Sequence, residues 1–391
     1  MMGLAYSESS STHLNLLQVP TQEASSMLQD AIKGCNLDDI KGAVAQGASV
    51  NSIFTINDNQ ESALIYSMHC AELTIPAYFI NKGANVNFQD SNGSNALMAL
   101  IANGRSDGTW EVPLAEMLIN HGIDLNARDN DGSNALMALT ANGRSEAPWI
   151  RILAEMLITH GIHLNARNHN GMSAIMFAAE SENNDITMVL LQHHVNLSYA
   201  TTHGDFEPIG STALLIASSK ADYEILIPWL LIQQGAVLET RDENGHTPLY
   251  YAVQAQSYSI TDDLLRHGAQ VDSQTLQLAY SLAYDDPYNR DILQLVLKYT
   301  NNQILNMRDQ NGDTPLYYAV QDQSYTITDD LLRHGAQVDC QTFQLADDLA
   351  RNDPDNQPIL QLVLKYRTTQ ELNHCKSESQ SIDHRKREGR S

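Results

Sequence analysis

"TPLYYAVQAQSYSITDDLLRHGAQVD", Thr247 to Asp272, returns almost unchanged 67 positions later as "TPLYYAVQDQSYTITDDLLRHGAQVD", Thr314 to Asp339. The echo continues more weakly: "SQTLQLAYSLAYDDPYNRDILQLVLKY" follows the first copy and "CQTFQLADDLARNDPDNQPILQLVLKY" the second. A block of two repeats was copied as one piece. Aligned on these copies, a shorter unit emerges along the chain. A turn of the form D-x-N-G or N-x-N-G precedes a helix rich in small residues. A second helix, rich in Leu and Ile, ends in x-H-G or x-x-G and passes into an extended A-x-V-[ND]. The turns are DSNG at Asp90, DNDG at Asp129, NHNG at Asn168, DENG at Asp242 and DQNG at Asp309.

Each part has a local cause. Asn-Gly and Asp-Gly supply the positive φ of a tight hairpin. Ala-rich first helices let neighbouring helices approach closely. Gly after Lys, His or Gln stops the second helix. Leu, Ile and Met at i, i+3 and i+4, as in "LAEMLI", bury one of its faces.

The unit resembles the ankyrin repeat, which has a period of about 33 residues and a signature beginning T-P-L-H-x-A. "TPLYYAV" and "GAQVD" are close to the pattern; "TALLIA" and "NALMAL" are looser. The resemblance runs from about Ser25 to Tyr366 in about ten units. It implies an all-α solenoid of helix-turn-helix units with β-hairpin fingers, forming an elongated, right-handed, monomeric stack. The expected organisation is a polar segment over 1–23, the solenoid over 24–370 and a disordered polar, basic tail over 371–391. The His of T-P-L-H is replaced by Tyr250, Tyr317, Met98, Met137, Met176 or Leu215. In the family that His ties adjacent turns, so these interfaces are expected to lean on packing, with Tyr250 and Tyr317 buried and their hydroxyls paired. The units at Ser273–Tyr299 and Cys340–Tyr366 carry no finger, and "HHVNL" places His194 where Gly is expected, ahead of the insert "SYATTHGDFEPIG". A looser contact or a kink is expected there.

A second echo has a longer period. "SNALMALIANGRSDGTW", Ser94 to Trp110, recurs 39 positions on as "SNALMALTANGRSEAPW", Ser133 to Trp149. The surplus lies between the two helices, so Arg105–Trp110 and Arg144–Trp149 read as inserted loops. Two readings of the tryptophans stand. Each ring caps a local core beside Leu114 or Leu153, or the pair forms an anchor flanked by Arg105 and Arg144.

The formal net charge of -24 argues against nucleic acid and against an anionic membrane face. No apolar run approaches the roughly 20 residues of a membrane helix. Cys35, Cys70, Cys340 and Cys375 are scattered, which reads as reduced core cysteines in a cytoplasmic protein, with neither a disulfide framework nor a zinc site. No P-loop, GxSxG, HExxH or EF-hand loop occurs. His121, His160, His267 and His334 recur beside the Gly that ends the second helix, where they suit the helix dipole better than a metal. The pairs Asp262-Asp263 and Asp329-Asp330 read as acids at the start of the second helix. No catalytic centre, cofactor or metal is expected.

By resemblance, the function is a non-enzymatic scaffold binding a protein through fingertips and inner helix faces. Carried onto this chain, the fingertip residues include Asn92, Asp131, His169, Glu243, His246, Gln310 and Asp313. The inner helix contributes Asn103, Asn142, Gln254 and Asp322, and the loops Trp110, Trp149, Arg105 and Arg144. The row is polar and acidic, implying a partner with a basic face. The alternatives are an effector of an intracellular bacterium translocated into a host cell, and a lipid-anchored adaptor. The last rests on "MGLAYS", which fits an acylation pattern if translation begins at Met2.

Overall fold

The computed structural model describes residues 22–104, 110–141, 148–204, 207–220 and 225–367. Arg105, Asn142 and Arg144, most of the two inserted loops and nearly all of both terminal segments lie outside these residues. The chain divides into two compact units between His163 and Leu164.

The first unit holds four helix pairs: Gln22–Lys33 with Leu37–Ala45, Ala63–Ser67 with Thr74–Asn81, Ala96–Asn103 with Glu111–Asn120, and Ala135–Ala141 with Pro148–Thr159. The second holds six: Ala174–Glu180 with Asn184–Gln192, Ala213–Ser219 with Leu226–Gln233, Pro248–Gln254 with Tyr258–Arg266, Ser273–Asp285 with Arg290–Tyr299, Pro315–Gln321 with Tyr325–Arg333, and Cys340–Asn352 with Gln357–Lys365. A short helix, Asn302–Leu305, joins the two copies of the duplicated block. Within each unit, first helices pack on first helices and second on second. The core runs between the two rows: Leu97, Leu100, Leu114, Leu118, Leu136 and Leu153 are fully buried.

The first helices start where the sequence provides an acceptor. The Asn95 side chain accepts from the N–H groups of Leu97 and Met98, and Thr247 and Thr314 accept from Tyr250 and Tyr317 ahead of a proline-led turn. Each satisfies an N–H that the helix leaves without a partner.

All five D-x-N-G or N-x-N-G turns close alike. The Gly N–H donates to the backbone oxygen of the first residue, and that residue's N–H donates to the oxygen after the Gly. In the Asp90 turn these bonds are 2.9 and 3.0 Å, and in the Asp309 turn both are 3.0 Å. The opening Asp or Asn is needed because one side-chain oxygen accepts two backbone N–H groups, those of Asn92 and Ser94 at 2.9 and 2.8 Å in the first turn. The Gly is needed because its φ is positive, from 77° at Gly93 to 85° at Gly312.

Among the described residues, strand pairing occurs in one finger, where β1 (Ile53–Ile56) and β2 (Asn59–Ser62) are antiparallel. Their connection is Asn57-Asp58, both at positive φ, a two-residue turn that suits strand twist. The segment expected to loosen or kink the stack is a lengthened finger. Thr201 takes the opening position, accepting at its Oγ1 from the N–H of Ser211 and at its backbone oxygen from Gly210, both at 3.0 Å. His194 adopts the left-handed conformation of the Gly it replaces, at φ 56°.

The fingerless repeats have a simple cause. The aspartate that ends A-x-V-D caps the next helix directly: Asp272 accepts from the N–H of Thr275, and Asp339 from that of Thr342, both at 2.8 Å. With the cap already in place, no turn intervenes.

Three sequence expectations are corrected. Asp262, Asp263, Asp329 and Asp330 lie in the middle of helices that begin at Tyr258 and Tyr325, so they do not serve the first turn. Asp262 and Asp329 instead pair with Arg266 and Arg333 four residues on, while Asp330 receives a two-pronged contact from Arg290 at 2.7 and 3.1 Å. The paired tyrosines are shifted by one. All four are half-buried, and it is Tyr251 and Tyr318 that donate to Asp242 and Asp309, at 2.6 Å. The cysteines among the described residues are not reduced: Cys35 and Cys70 form a disulfide, and Cys340 is also disulfide-bonded. Sequence spacing hid the Cys35–Cys70 pair because the two sit at equivalent turns of adjacent repeats.

Candidate functional site

The fingers are rigid because three sets of bonds hold their backbones. The first is the Asp/Asn turn described above. The second is an arginine one residue before it. Arg128, Arg241 and Arg308 donate from Nη1 to the oxygen of the finger Gly, at 2.6, 2.5 and 2.6 Å, and Arg167 does so from Nε at 3.0 Å. Several then reach the next repeat. Arg167 bonds the oxygen of Ala200 at 2.7 Å. Arg241 and Arg308 meet Asp272 and Asp339, the caps of the fingerless repeats, at 2.7 and 2.5 Å. The third set joins finger to finger: the Asn130 N–H donates to the Asn92 oxygen at 2.9 Å, and that of Thr202 to Asn170 at 2.8 Å.

A fourth set runs below the fingers. A side chain ahead of most fingers, usually the last residue of an A-x-V-N segment, accepts from a backbone N–H of the segment one repeat on. Asn51 takes the N–H of Asn85 at 2.7 Å, Asn87 that of Asp124 at 2.6 Å and Asn126 that of His163 at 2.6 Å. In the second unit, Asn165 takes Asn196, Glu239 takes Gln270 and Asn306 takes Gln337, at 2.6 to 2.8 Å. The interfaces expected to lean on packing thus carry polar bonds beside it. A polar ladder does part of the work left by the missing His. Its sequence signal is the Asn or Glu that closes most of the A-x-V segments. The arginines of A-R-D, A-R-N, T-R-D and M-R-D are a second signal, each standing directly before a turn-opening Asp or Asn.

With the backbones fixed, the side chains divide by exposure. Asn92, Asp131, His169, Glu243 and Gln310 are exposed at the tips, and Asn103 and Gln254 are exposed on the inner helices. His246 is half-buried and lies flat on Tyr250, centroids 3.8 Å apart. Asp313 accepts from Gln341 at 2.6 Å, and Asp322 from the Tyr280 hydroxyl at 2.6 Å, so both serve contacts between repeats. Asn103 folds back on its helix to the oxygen of Ala99.

Burial opposes ionisation of Asp242, but the Tyr251 hydroxyl and the N–H groups of His246 and Asn244 outweigh it and hold the carboxyl below the usual aspartate range. Burial and the same bond push Tyr251 upward. Glu207 moves the other way: its burial raises it despite Lys220 at 3.7 Å.

The two tryptophans are not rim anchors. Trp110 is 3% exposed and Trp149 2%, which leaves no ring face for a partner. Trp149 lies over Gly104, where an added Cβ would stand 2.8 Å from its Cζ2. The glycine of "ANGRS", read as part of a turn, is thus a seat for the indole of the next repeat. The Trp110 Nε1 is buried and has no hydrogen-bond partner among the described residues.

Helix pairs stacked like on like, with turn fingers between them, define the class of helical repeat proteins. A model described as ankyrin repeats (3 copies) matches residues 110–202 and 197–275, and one described as ankyrin repeat matches 311–343. The human ASB11 ankyrin repeat domain is similar in fold at a TM-score of 0.50 and 19% identity, over 62% of this chain and 98% of that one. The chain belongs to the ankyrin-repeat family. Alpha-latrotoxin-Lh1a of Latrodectus hasselti is 28% identical over 143 residues, which is 35% of this chain and 10% of the toxin. Alpha-latrotoxin-Lg1a of Latrodectus geometricus is 29% identical over 114 residues, which is 28% of this chain and 8% of the toxin. The chain thus spans a tenth or less of the length of these curated relatives. Ankyrin repeats are generally protein-interaction modules, and no described helix is long and apolar enough to cross a membrane.

Proposed function

We propose that the chain is a non-enzymatic scaffold that binds a protein with a basic face through its fingertips and inner helices. One observation supports this above the others: the finger backbones are held by repeated internal bonds while the residues after the opening Asp or Asn, Ser91, Asn130, His169, Glu243 and Gln310, are all exposed. A rigid backbone presenting varied side chains lowers the ordering cost of binding. The acidic balance, -24 overall, favours a cationic partner and speeds encounter with it. Within this reading the contact residues are Asn92, Asp131, His169, Glu243, Gln310, Asn103 and Gln254, and of the two readings of Trp110 and Trp149 their burial favours the core.

The test is capture of basic-faced proteins by the full chain at low and at raised salt. Asp131→Lys combined with Gln310→Lys, both exposed, should abolish capture with the melting temperature unchanged. Capture that is indifferent to both salt and charge reversal refutes the basic-face reading.

A further inference from the structure

Cys35 and Cys70 are joined in the structure, and a third group faces their sulfurs. The His69 Nε2 lies 3.5 Å from Sγ of Cys35 and 3.8 Å from Sγ of Cys70. Its other nitrogen, Nδ1, bonds the backbone oxygen of Tyr66. A carbonyl can only accept, so Nδ1 carries the proton and the lone pair of Nε2 is directed toward the two sulfurs. The ring is held further by Tyr66, whose own ring centroid lies 4.8 Å away. Cys35 and His69 are exposed and Cys70 is half-buried, and their ligand atoms lie within 4.8 Å of one another. All three come from the turns between paired helices in the first two repeats, stacked one above the other.

We infer that these residues form a zinc site when the disulfide is reduced. Tetrahedral zinc has Zn–S of about 2.3 Å and Zn–N of about 2.0–2.1 Å, which gives sulfur–nitrogen edges of about 3.6 Å. The two edges present match that geometry. The remaining edge, between the sulfurs, opens to about 3.8 Å in such a site, a shift that side-chain rotation supplies once the S–S bond is cut. The backbone oxygen on Nδ1 is the outer-shell partner that zinc-bound histidines ordinarily carry. The exposed flank leaves the fourth position to water. A dithiol reductant supplies the chemistry of opening: it gives two electrons and two protons to the S–S bond, yielding two thiols, and is itself oxidised to a disulfide. Zinc then displaces both thiol protons and is held by two thiolates and one neutral imidazole. Oxidation and metal occupancy are mutually exclusive at this site, because a disulfide sulfur is not a thiolate. The sequence gives no hint of it, since no Cx2–4C spacing exists and the ligands meet only through the repeat stack.

The test uses the full chain carrying Cys340→Ser and Cys375→Ser, so that only two thiols remain, with cobalt(II) as a coloured substitute for zinc. The reduced chain should bind one equivalent, giving thiolate-to-cobalt charge-transfer absorption and tetrahedral visible bands that zinc bleaches. The oxidised chain, folded and otherwise identical, should give neither. Cys70→Ser should remove the charge-transfer band. His69→Ala should weaken binding by at least about tenfold, since changes one shell further out already cost about 10- to 100-fold. Circular dichroism of each variant checks that the fold is kept. Absence of the band in the reduced chain overturns the assignment. So does a band of equal affinity in the oxidised chain or in His69→Ala.

Discussion

Trp149→Ala would remove a ring that is 2% exposed and lies against Gly104. A buried tryptophan hides about 150–250 Å², and at about 25 cal/mol per Å² that is about 4–6 kcal/mol. Alanine keeps part of it, and the truncation is expected to cost about 3–5 kcal/mol. Gly104 allows a sharper test. Its φ of -56° and ψ of 148° suit any residue, so only space forbids a side chain there. A Cβ would meet the indole at 2.8 and 2.9 Å and Cγ of Glu111 at 3.3 Å. Gly104→Ala should therefore cost about 1–3 kcal/mol, as overpacking does. In the Trp149→Ala background most of that penalty should vanish, because the cavity accepts the methyl group. Urea unfolding followed by circular dichroism gives the four free energies. Amide exchange over 96–120 and 148–159 shows whether the loss is local, as an array of nearest-neighbour contacts requires. If Gly104→Ala costs the same with and without the indole, the reasoning fails.

Two further outcomes follow from the polar framework. Asn126→Ala removes the acceptor of the His163 N–H and should cost about 1 kcal/mol in urea unfolding, whereas Asn126→Asp keeps an acceptor and should recover most of it. Tyr251→Phe should cost about 1–2 kcal/mol, since it strips a donor from a buried carboxylate, while Tyr250→Phe should cost little. The Tyr251 change should also alter acid stability. Asp242, Asp272 and Asp309 are all depressed in the folded chain: burial opposes this at the first two, while hydroxyl, backbone and, at Asp272, Arg241 bonds produce it. Their contribution is complete above the unfolded aspartate value of about 3.9 and is lost as pH falls below it through the folded values. Tyr251→Phe should flatten that acid loss; an unchanged slope in pH-dependent melting would show that the bond does not govern Asp242.

The repeat architecture was legible because it is written locally. The opening Asp or Asn, the Gly at positive φ and the Thr or Asn cap each act within four residues, and the pattern of Leu and Ile marks one helix face. What stayed hidden depends on what one repeat presents to the next. Nothing near Cys35 announces Cys70, and nothing in "ANGRS" announces an indole arriving from 45 positions away. The two tyrosines of "TPLYYAV" sit side by side, and only the placement of the finger decides that the second meets Asp242. The exposure of the tips could be anticipated from the turn chemistry, but which tip and inner-helix side chains are already engaged could not. Asp313 and Asp322 are taken up by Gln341 and Tyr280, and sequence carries no mark of that.

The duplicated block shows how such contacts are inherited and revised. Bonds inside each copy recur at the same offset: Tyr251 to Asp242 and Tyr318 to Asp309, Arg241 to Asp272 and Arg308 to Asp339, Arg266 to Asp262 and Arg333 to Asp329. Copying the sequence copied the geometry, because each bond lies within one repeat or between two that were duplicated together. The junction between the copies had no such template. There Tyr280 donates to Asp322, and Arg290 grips Asp330, which is 7% exposed at its side chain. At the corresponding places of the other copy stand Asp347 for Tyr280, Gln357 for Arg290 and Ala255 for Asp322. Three of the four junction residues thus differ between copies, while the bonds internal to each copy are kept. A carboxylate buried as deeply as Asp330 would be costly without a cation beside it. The junction is therefore held by residues particular to one copy, and Tyr280, Arg290 and Asp322 are the side chains that make the join.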